Sequence, residues 1–182
     1  NDLDNAKLES SLVDNWNIVV RSLWYKNAVH APNKFLSSLQ QLAIFKNRGE
    51  FTGFQQNDSQ EFLQFFLEMF HNAICKEVSM EITGEARNDF DKLAIEAYKN
   101  FRDFFKNDYS EIVKIFYGQF FSRVKTVTPS KEEISNTFEP FNMLSLELHK
   151  ENNGAYNLTE CLENFTKVEK LDISNKDNQK FK

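Results

Sequence analysis

The chain has 182 residues, of which 41% are hydrophobic, and it contains 19 phenylalanines but only 5 glycines and 3 prolines. This length and apolar fraction are sufficient for one domain with a real core, or for two small lobes, and they exclude global disorder. The 22 basic and 27 acidic side chains leave a net charge of -5. That charge disfavours a nucleic-acid partner and fits a basic partner better.

Cysteine usage and hydropathy exclude further classes. Cys75 and Cys161 lie far apart, without a CxxC pair or a His pairing of metal-ligand type, so we expect no disulfide framework and a reducing intracellular compartment, the cytoplasm or nucleus. Charges interrupt every long apolar stretch and no signal peptide opens the chain, so no membrane partner is expected. No cofactor is predicted. The chain begins with Asn1 and ends at Lys182 in mid-pattern, which predicts a piece of a longer protein.

Helical spacing of apolar residues predicts two helices in the N-terminal third. The first covers residues 8–25, and the second starts at Pro32, a residue that a first helical turn tolerates. The apolar stripe of the first helix contains Leu8, Leu12, Trp16, Val19 or Val20, Leu23 and Trp24. The apolar side of the second contains Phe35, Leu36, Leu39 and Leu42. The stretch "KNRGEFTGF" is predicted to connect this pair to the next helix.

Three further helices are predicted in the middle of the chain. The first covers residues 57–75, and after a polar break around Gly84 residues 90–105 resume helical spacing. A short helix follows, with Ser110 as its N-cap and Gly118 as its stop.

The apolar period changes from helical to alternating after Gly118. The stretches "QFFSRVKTVT" and "FEPFNMLSLEL" predict two antiparallel strands around a "PSKEEISN" loop. "KENNGAYN" predicts a second turn, after which Thr159 is expected to cap the short helix "ECLENFTKV". Helices followed by strands predict an α+β fold, with a helical lobe over residues 1–117 and a strand segment over residues 118–182.

The run "GFQQNDSQEFLQFFLEMFH", residues 53–71, holds more polar groups than a helix start needs. Either Asn57 or Asp58 fits the N-cap, with Gln60 or Glu61 three residues later to complete a capping box. Capping accounts for one residue of each pair and contributes about 1 kcal/mol. The apolar stripe that follows is predicted to face the core and contains Phe62, Phe65, Phe66, Met69, Phe70 and Ala73.

The polar groups that capping leaves over favour a peptide-binding site. Asp58 and Glu61 lie three residues apart and share a helix face, with Gln60 beside them at the same terminus. Carboxylates can pair with Arg or Lys, and amides can both donate to and accept from a peptide backbone. The pattern predicts a surface that holds a basic, extended peptide.

The same run resembles the glutamine-rich box of the ubiquitin-specific proteases, Q-x-D-[AS]-x-E-F-L followed by an apolar helix. The matching residues are Gln56, Asp58, Ser59, Glu61, Phe62 and Leu63. Three later stretches resemble further motifs of that family in the right order: "YSEIVKIFYGQFFSRVK", "FEPFNMLSLEL" and "NLTECLENFTKVEKLD". Together the four matches span most of the chain between Trp16 and Asp172.

The resemblance implies part of a papain-like cysteine peptidase domain, with a helical, thumb-like lobe followed by antiparallel finger strands. It also implies the partner, ubiquitin or a ubiquitinated protein, because ubiquitin's extended C-terminal tail carries arginines and lies in a cleft of these enzymes. By resemblance, Asp58 and Glu61 pair with those arginines, and Gln56 and Gln60 hold the backbone of the tail.

The chemistry of the family requires groups that this sequence does not show. A cysteine thiolate attacks the carbonyl of ubiquitin's last glycine, a histidine deprotonates the thiol, and both belong to boxes outside the matched region. Cys75 and Cys161 are expected to act as small packing residues, and His30, His71 and His149 have no cysteine partner. No catalytic residue is therefore predicted in this chain, which alone is expected to be inactive.

Zinc is not predicted either. "TVTP", residues 126–129, stands where many members of the family have the first CxxC pair of a zinc site. The sequence thus favours part of a deubiquitinating cysteine peptidase. Two alternatives stay open: a non-catalytic ubiquitin-binding pseudo-enzyme or scaffold, and an acidic helical scaffold unrelated to ubiquitin.

Overall fold

The computed structural model describes residues 2–25, 29–53, 55–127, 132–148 and 157–170. Within these ranges the chain forms six α-helices, one short 3-10 helix and one antiparallel two-stranded sheet. The helices are α1 (Asp2–Tyr25), α2 (Asn33–Phe45), α3 (Ser59–Ile74), α4 (Asp89–Phe105), α5 (Glu111–Phe116) and α6 (Leu158–Phe165). The 3-10 helix is Gly49–Phe51, and the strands are β1 (Gly118–Val127) and β2 (Glu132–Phe141). The predicted α+β class is confirmed.

The chain divides into two compact units, Asn1–Asn142 and Met143–Lys182. The first contains α1 to α5 and both strands, and the second contains α6. The change from helices to strands occurs at Gly118, as the sequence predicted. The assignment of residues 1–117 and 118–182 to two lobes of a peptidase domain stays a prediction.

The main core lies where α1, α2 and α3 pack together. Its buried side chains are Leu12, Val19, Phe35, Leu39, Leu42, Ala43, Phe51, Phe65 and Met69. Trp16 lies at the centre of an aromatic cluster, with its ring centroid 5.3 Å from that of Phe35 and 5.4 Å from that of Phe66. Burial of Phe65, which is 2% exposed, contributes about 1.5–3 kcal/mol. These contacts hold the face of α3 that carries its phenylalanines, so the start of α3 is positioned by the core behind it.

The predicted apolar stripes of α1 and α2 are partly wrong at their edges. Leu23 and Trp24 were placed on the buried side of α1, but they are 61% and 80% exposed. Leu36 on α2 is also exposed. The helix α1 begins at Asp2, six residues before the predicted start at residue 8. The prediction missed its first turns because they are mostly polar.

A second, smaller set of contacts joins α4 and α5 to the base of the hairpin. Phe105, the last residue of α4, is 4% exposed and its ring lies 5.2 Å from that of Tyr117. Val113 on α5 is fully buried, and Ser110 accepts the N–H of Val113 at 3.2 Å as the N-cap of α5. The predicted cap at Ser110 is therefore confirmed.

The hairpin pairs Gly118 with Phe141 at its base and Val127 with Glu132 at its far end. The predicted second strand, which began at Phe138, was therefore placed too late, and most of the predicted "PSKEEISN" loop is strand. Two contacts between the strands support this register: the stacked rings of Phe121 and Phe138, and a hydrogen bond from Arg123 to Asn136. Such direct cross-strand pairs stabilise an antiparallel ladder whose residues are mostly solvent-exposed.

The last helix begins earlier than predicted. Asn157 is the N-cap of α6 and its Oδ1 accepts the N–H of Thr159 at 3.0 Å, so Thr159 is not the cap. Asparagine is the better capping residue of the two. Of the predicted turn over residues 150–157, residues 150–156 lie outside the described residues.

Candidate functional site

The candidate site is the stretch that enters α3, residues 55–61, which we call the entry segment. All seven of its residues are exposed. The four residues expected to bind a peptide, Gln56, Asp58, Gln60 and Glu61, therefore lie together at one end of α3 and face solvent. Their role in binding a peptide stays a prediction.

Asp58 is the N-cap of α3, which decides between the two residues that the sequence allowed. Its Oδ1 accepts the backbone N–H of Gln60 at 2.7 Å and that of Glu61 at 3.3 Å. These bonds satisfy two of the four N–H groups that a helix start leaves without intrahelical partners. Within the described residues the side chain of Glu61 does not return a bond to the backbone of Asp58, so only half of a capping box is formed.

The remaining polar groups of the entry segment have few internal partners. Asn57 donates from Nδ2 to the carbonyl of Gln55 at 3.2 Å. Among the described residues, no hydrogen bond or ion pair occupies Oδ2 of Asp58 or the side chains of Gln56, Gln60 and Glu61. Capping therefore uses one carboxylate oxygen, while two amides and most of two carboxylates are available to a ligand.

The two cysteines lack the features of a nucleophile. Burial, followed by the charge of Asp108, raises the pKa of the Cys75 thiol, which donates to the carbonyl of Asn72 at 3.5 Å. Cys161 is buried. A raised pKa keeps a thiol protonated and weakly nucleophilic at neutral pH.

His71 is engaged by a residue that sequence reasoning did not pair with it. Its Nδ1 lies 2.8 Å from Oγ of Ser110, the N-cap of α5. This hydrogen bond joins the last turn of α3 to the start of α5. The backbone N–H of Cys75 donates to the carbonyl of His71 at 2.8 Å, but among the described residues no hydrogen bond joins the imidazole of His71 to a thiol. His149 lies outside the described residues.

A buried glutamate that sequence reasoning did not single out joins α1 to the ends of α2 and α3, away from the entry segment. Glu9 on α1 is 3% exposed, and its Oε1 lies 2.9 Å from Nζ of Lys46 and accepts from Asn72 at 3.3 Å. Its position was a usable signal, because Glu9 precedes Leu12 by three residues and therefore shares the buried face of α1. A carboxylate on such a face requires a partner.

Metal and membrane features are not found in the described part of the chain. No group of three or more His, Cys, Asp or Glu side chains comes together there in a way that could hold a metal ion. Residues 128 and 129 of the "TVTP" stretch are not described. No described helix has the length and apolar character needed to cross a bilayer.

Two features characterise the class of protein to which the described residues belong. One is the α+β fold, and the other is an acidic, amide-rich helix entry without a thiol–imidazole hydrogen bond. The family model described as "Ubiquitin carboxyl-terminal hydrolase" matches residues 1–180. The chain belongs to this family.

Individual relatives agree with the family match. "Ubiquitin carboxyl-terminal hydrolase 4" of Saccharomyces cerevisiae is 33% identical over 162 residues, which is 83% of this chain and 17% of the yeast protein. "Ubiquitin carboxyl-terminal hydrolase 2" of Homo sapiens is 29% identical over 171 residues, covering 92% of this chain and 27% of the human protein. The chain thus spans a small part of the length of these relatives.

Proposed function

We propose that this chain is part of a deubiquitinating cysteine peptidase, which binds ubiquitin's C-terminal tail and hydrolyses the bond that follows it. Membership of the ubiquitin carboxyl-terminal hydrolase family supports this reaction class. The observation that carries the tail-binding role is the entry segment: its carboxylates and amides are exposed and mostly not consumed by the protein itself. A core-facing or fully capped segment would have offered no docking surface.

In this proposal the two carboxylates recognise charge and the two amides recognise backbone. Oδ2 of Asp58 and the carboxylate of Glu61 pair with arginines of the tail, because charge-assisted hydrogen bonds to guanidinium groups are the strong ones. Gln56 and Gln60 donate to and accept from the extended backbone of the tail. Asp58 can cap α3 and bind the tail at once, because the two functions use different oxygens.

The chemical step belongs to groups that lie outside this chain. A thiolate must attack the carbonyl of ubiquitin's last glycine, and a histidine must take up the thiol proton. Neither described cysteine thiol is hydrogen-bonded to a histidine imidazole, and the pKa of the Cys75 thiol is raised, which disfavours the reactive thiolate. The chain alone is therefore inactive in this proposal, and it supplies substrate binding to the complete, intracellular protein.

The test is ubiquitin binding by variants of the complete protein. Glu61→Gln and Asp58→Asn remove a charge while keeping shape, and asparagine still caps the helix. Each lost contact should cost about 1.5–3 kcal/mol, less if the pair stays hydrated. Isothermal titration calorimetry with ubiquitin gives the affinity, and raised salt should weaken the wild-type complex because exposed ion pairs are screened.

Glu68→Gln is the matched control, since Glu68 is an exposed acid farther along α3. The Glu68→Gln protein should bind ubiquitin with the same affinity as the wild type. Unchanged affinity in folded Glu61→Gln and Asp58→Asn proteins would refute the site assignment. Normal tail binding by a complete protein that never reacts with a thiol-directed ubiquitin probe would favour the non-catalytic binding protein instead.

A further inference from the structure

The connector between α2 and α3 is fixed at its start by a tight helix ending. Asn47 has a φ of 57°, in the left-handed region that asparagine tolerates better than most residues. Its N–H donates to the carbonyl of Ile44 at 3.1 Å, and the N–H of Arg48 donates to the carbonyl of Ala43 at 2.8 Å. This is the Schellman pattern, which ends α2 and turns the chain toward α3.

Three residues after this turn form what we call the anchor cluster: Arg48, Glu50 and Phe51. The Nε of Arg48 donates to Oε1 of Glu50, and its guanidinium carbon lies 5.0 Å from the ring centroid of Phe51. The same guanidinium lies 5.7 Å from the ring of Phe65 on α3. The hydrogen bond from Arg48 lowers the pKa of the Glu50 carboxyl, which favours its charged form.

Phe51 attaches the anchor cluster to the first two turns of α3. It is 5% exposed, stacks on Phe65 with centroids 5.1 Å apart, and meets Phe62 edge-on at 5.6 Å. Stacked and edge-on rings at these distances are favourable beyond their burial, and a cation over the ring adds to them. The connector is thereby held against the helix that carries the candidate site.

The polar side chains of the entry segment that precede Asp58 have few partners among the described residues. Within the described part of the entry segment, Gln55 and Gln56 have no side-chain partner, and Asn57 bonds only to the carbonyl of Gln55. The next fixed point is the cap at Asp58. Gln56 therefore lies between two residues that described contacts hold in place, Phe51 and Asp58.

We propose that Arg48, Glu50 and Phe51 are positioning residues for recognition of the ubiquitin tail. The proposal rests on the tail-binding role given above to the entry segment. These three residues do not touch the tail; they restrict the conformations of the chain that delivers Gln56 to it. Restricting a binding segment beforehand strengthens binding, because less conformational entropy is lost when the ligand arrives.

A purely structural role predicts a different result from a positioning role. If the anchor cluster only supports the fold, folded variants should lose no affinity, or should lose it equally for every ubiquitin surface. If it positions the entry segment, only the part of the affinity that depends on the tail should fall. The difference can be measured with two probes, intact ubiquitin and ubiquitin from which the C-terminal tail has been removed.

The experiment uses the complete protein carrying Arg48→Gln, Glu50→Gln or Arg48→Lys. The Kd for tail-less ubiquitin divided by the Kd for intact ubiquitin measures how much the tail contributes to binding. Arg48→Gln and Glu50→Gln should each reduce this ratio by about two- to fivefold. Affinity for tail-less ubiquitin should stay unchanged. Arg48→Lys keeps the charge but loses the planar group that lies over Phe51 and Phe65, so it should restore only part of the ratio.

Arg102→Gln is the matched control. Arg102 pairs with Asp103 on α4, and its side chain is 33% exposed against 36% for Arg48. The Arg102→Gln protein should have the same ratio of the two Kd values as the wild type. If folded Arg48 and Glu50 variants keep the wild-type ratio, the positioning role is wrong; if the wild type itself binds both probes equally, the tail-binding function is wrong instead.

Discussion

Asp58 caps α3 with one carboxylate oxygen, and in the proposed function its other oxygen binds the tail. Its Oδ1 holds the N–H groups of Gln60 and Glu61, while its Oδ2 accepts nothing from the described part of the chain. Replacing an N-cap with alanine costs about 1 kcal/mol, whereas asparagine caps as well as aspartate. Asp58→Asn therefore removes the surface charge and keeps the helix cap, whereas Asp58→Ala removes both at once.

Cys75 should react slowly with alkylating reagents. Burial and the charge of Asp108 raise the pKa of its thiol, so less of the reactive thiolate is present near neutral pH. We expect iodoacetamide at pH 8 to modify Cys75 roughly three- to tenfold more slowly than free cysteine. Asp108→Asn should lower the pKa and speed the reaction, as followed by mass spectrometry of the Cys75 peptide. Modification of the native protein at the rate of free cysteine would contradict this environment.

Residue roles were predictable where they depend on near neighbours in the chain. The cap at Ser110 follows from a residue type and a helix start, and the structure confirms it. The partners of His71 and Glu9 were not predictable, because Ser110 lies 39 residues from His71 and Asn72 lies 63 residues from Glu9. Only the packing of α3 against α5 and α1 brings these side chains together.

Among the elements, the helices were predicted better than the hairpin for a physical reason. One side of α3 is buried, so its apolar residues recur at helical spacing, and the buried Phe65 and Met69 lie on the predicted stripe. The hairpin is exposed along much of both faces, with Val124 at 53% and Ile134 at 55%, so the first half of β2 contains few apolar residues that would mark it as a strand. Its second strand was therefore misplaced toward the more apolar residues that follow it.

The base of the hairpin should not tolerate a side chain at Gly118. A Cβ there would lie 2.7 Å from Cζ and 2.8 Å from Cε1 of Phe141, whose ring is stacked on Phe120 with centroids 3.9 Å apart. Gly118→Ala must displace that ring, and overpacking of this kind costs about 1–3 kcal/mol. Amide hydrogen exchange of the β1 and β2 backbone should be roughly five- to a hundredfold faster in the variant.

Two further variants identify the clash as the cause of that change. Gly53→Ala adds the same methyl group where no atom lies within 4 Å, so exchange in the hairpin should not change. Phe141→Leu combined with Gly118→Ala should recover part of the protection, because the smaller side chain makes room for the methyl group. Normal exchange in Gly118→Ala alone would show that the ring of Phe141 moves aside without cost.

For the whole chain, net charge and side-chain chemistry both support the proposal that this chain binds substrate and does not cleave it. The net charge of -5 and the acidic entry segment fit a partner with a basic tail. The described residues supply exposed polar groups, and no hydrogen bond joins a thiol to an imidazole among them. In the proposed function this chain binds the substrate, and residues from another part of the complete protein cleave the bond.

Removal of both cysteines of this chain should therefore leave the chemistry intact. In the complete protein, Cys75→Ser with Cys161→Ser should still form a covalent adduct with ubiquitin that carries a thiol-reactive group at its C-terminus. The 182-residue chain alone should form none, because the pKa of the Cys75 thiol is raised by burial and Cys161 is buried. Denaturing gel electrophoresis detects the adduct by its added mass. Loss of the adduct in the folded double variant would place the nucleophile within this chain and overturn the assignment of catalysis to residues outside it.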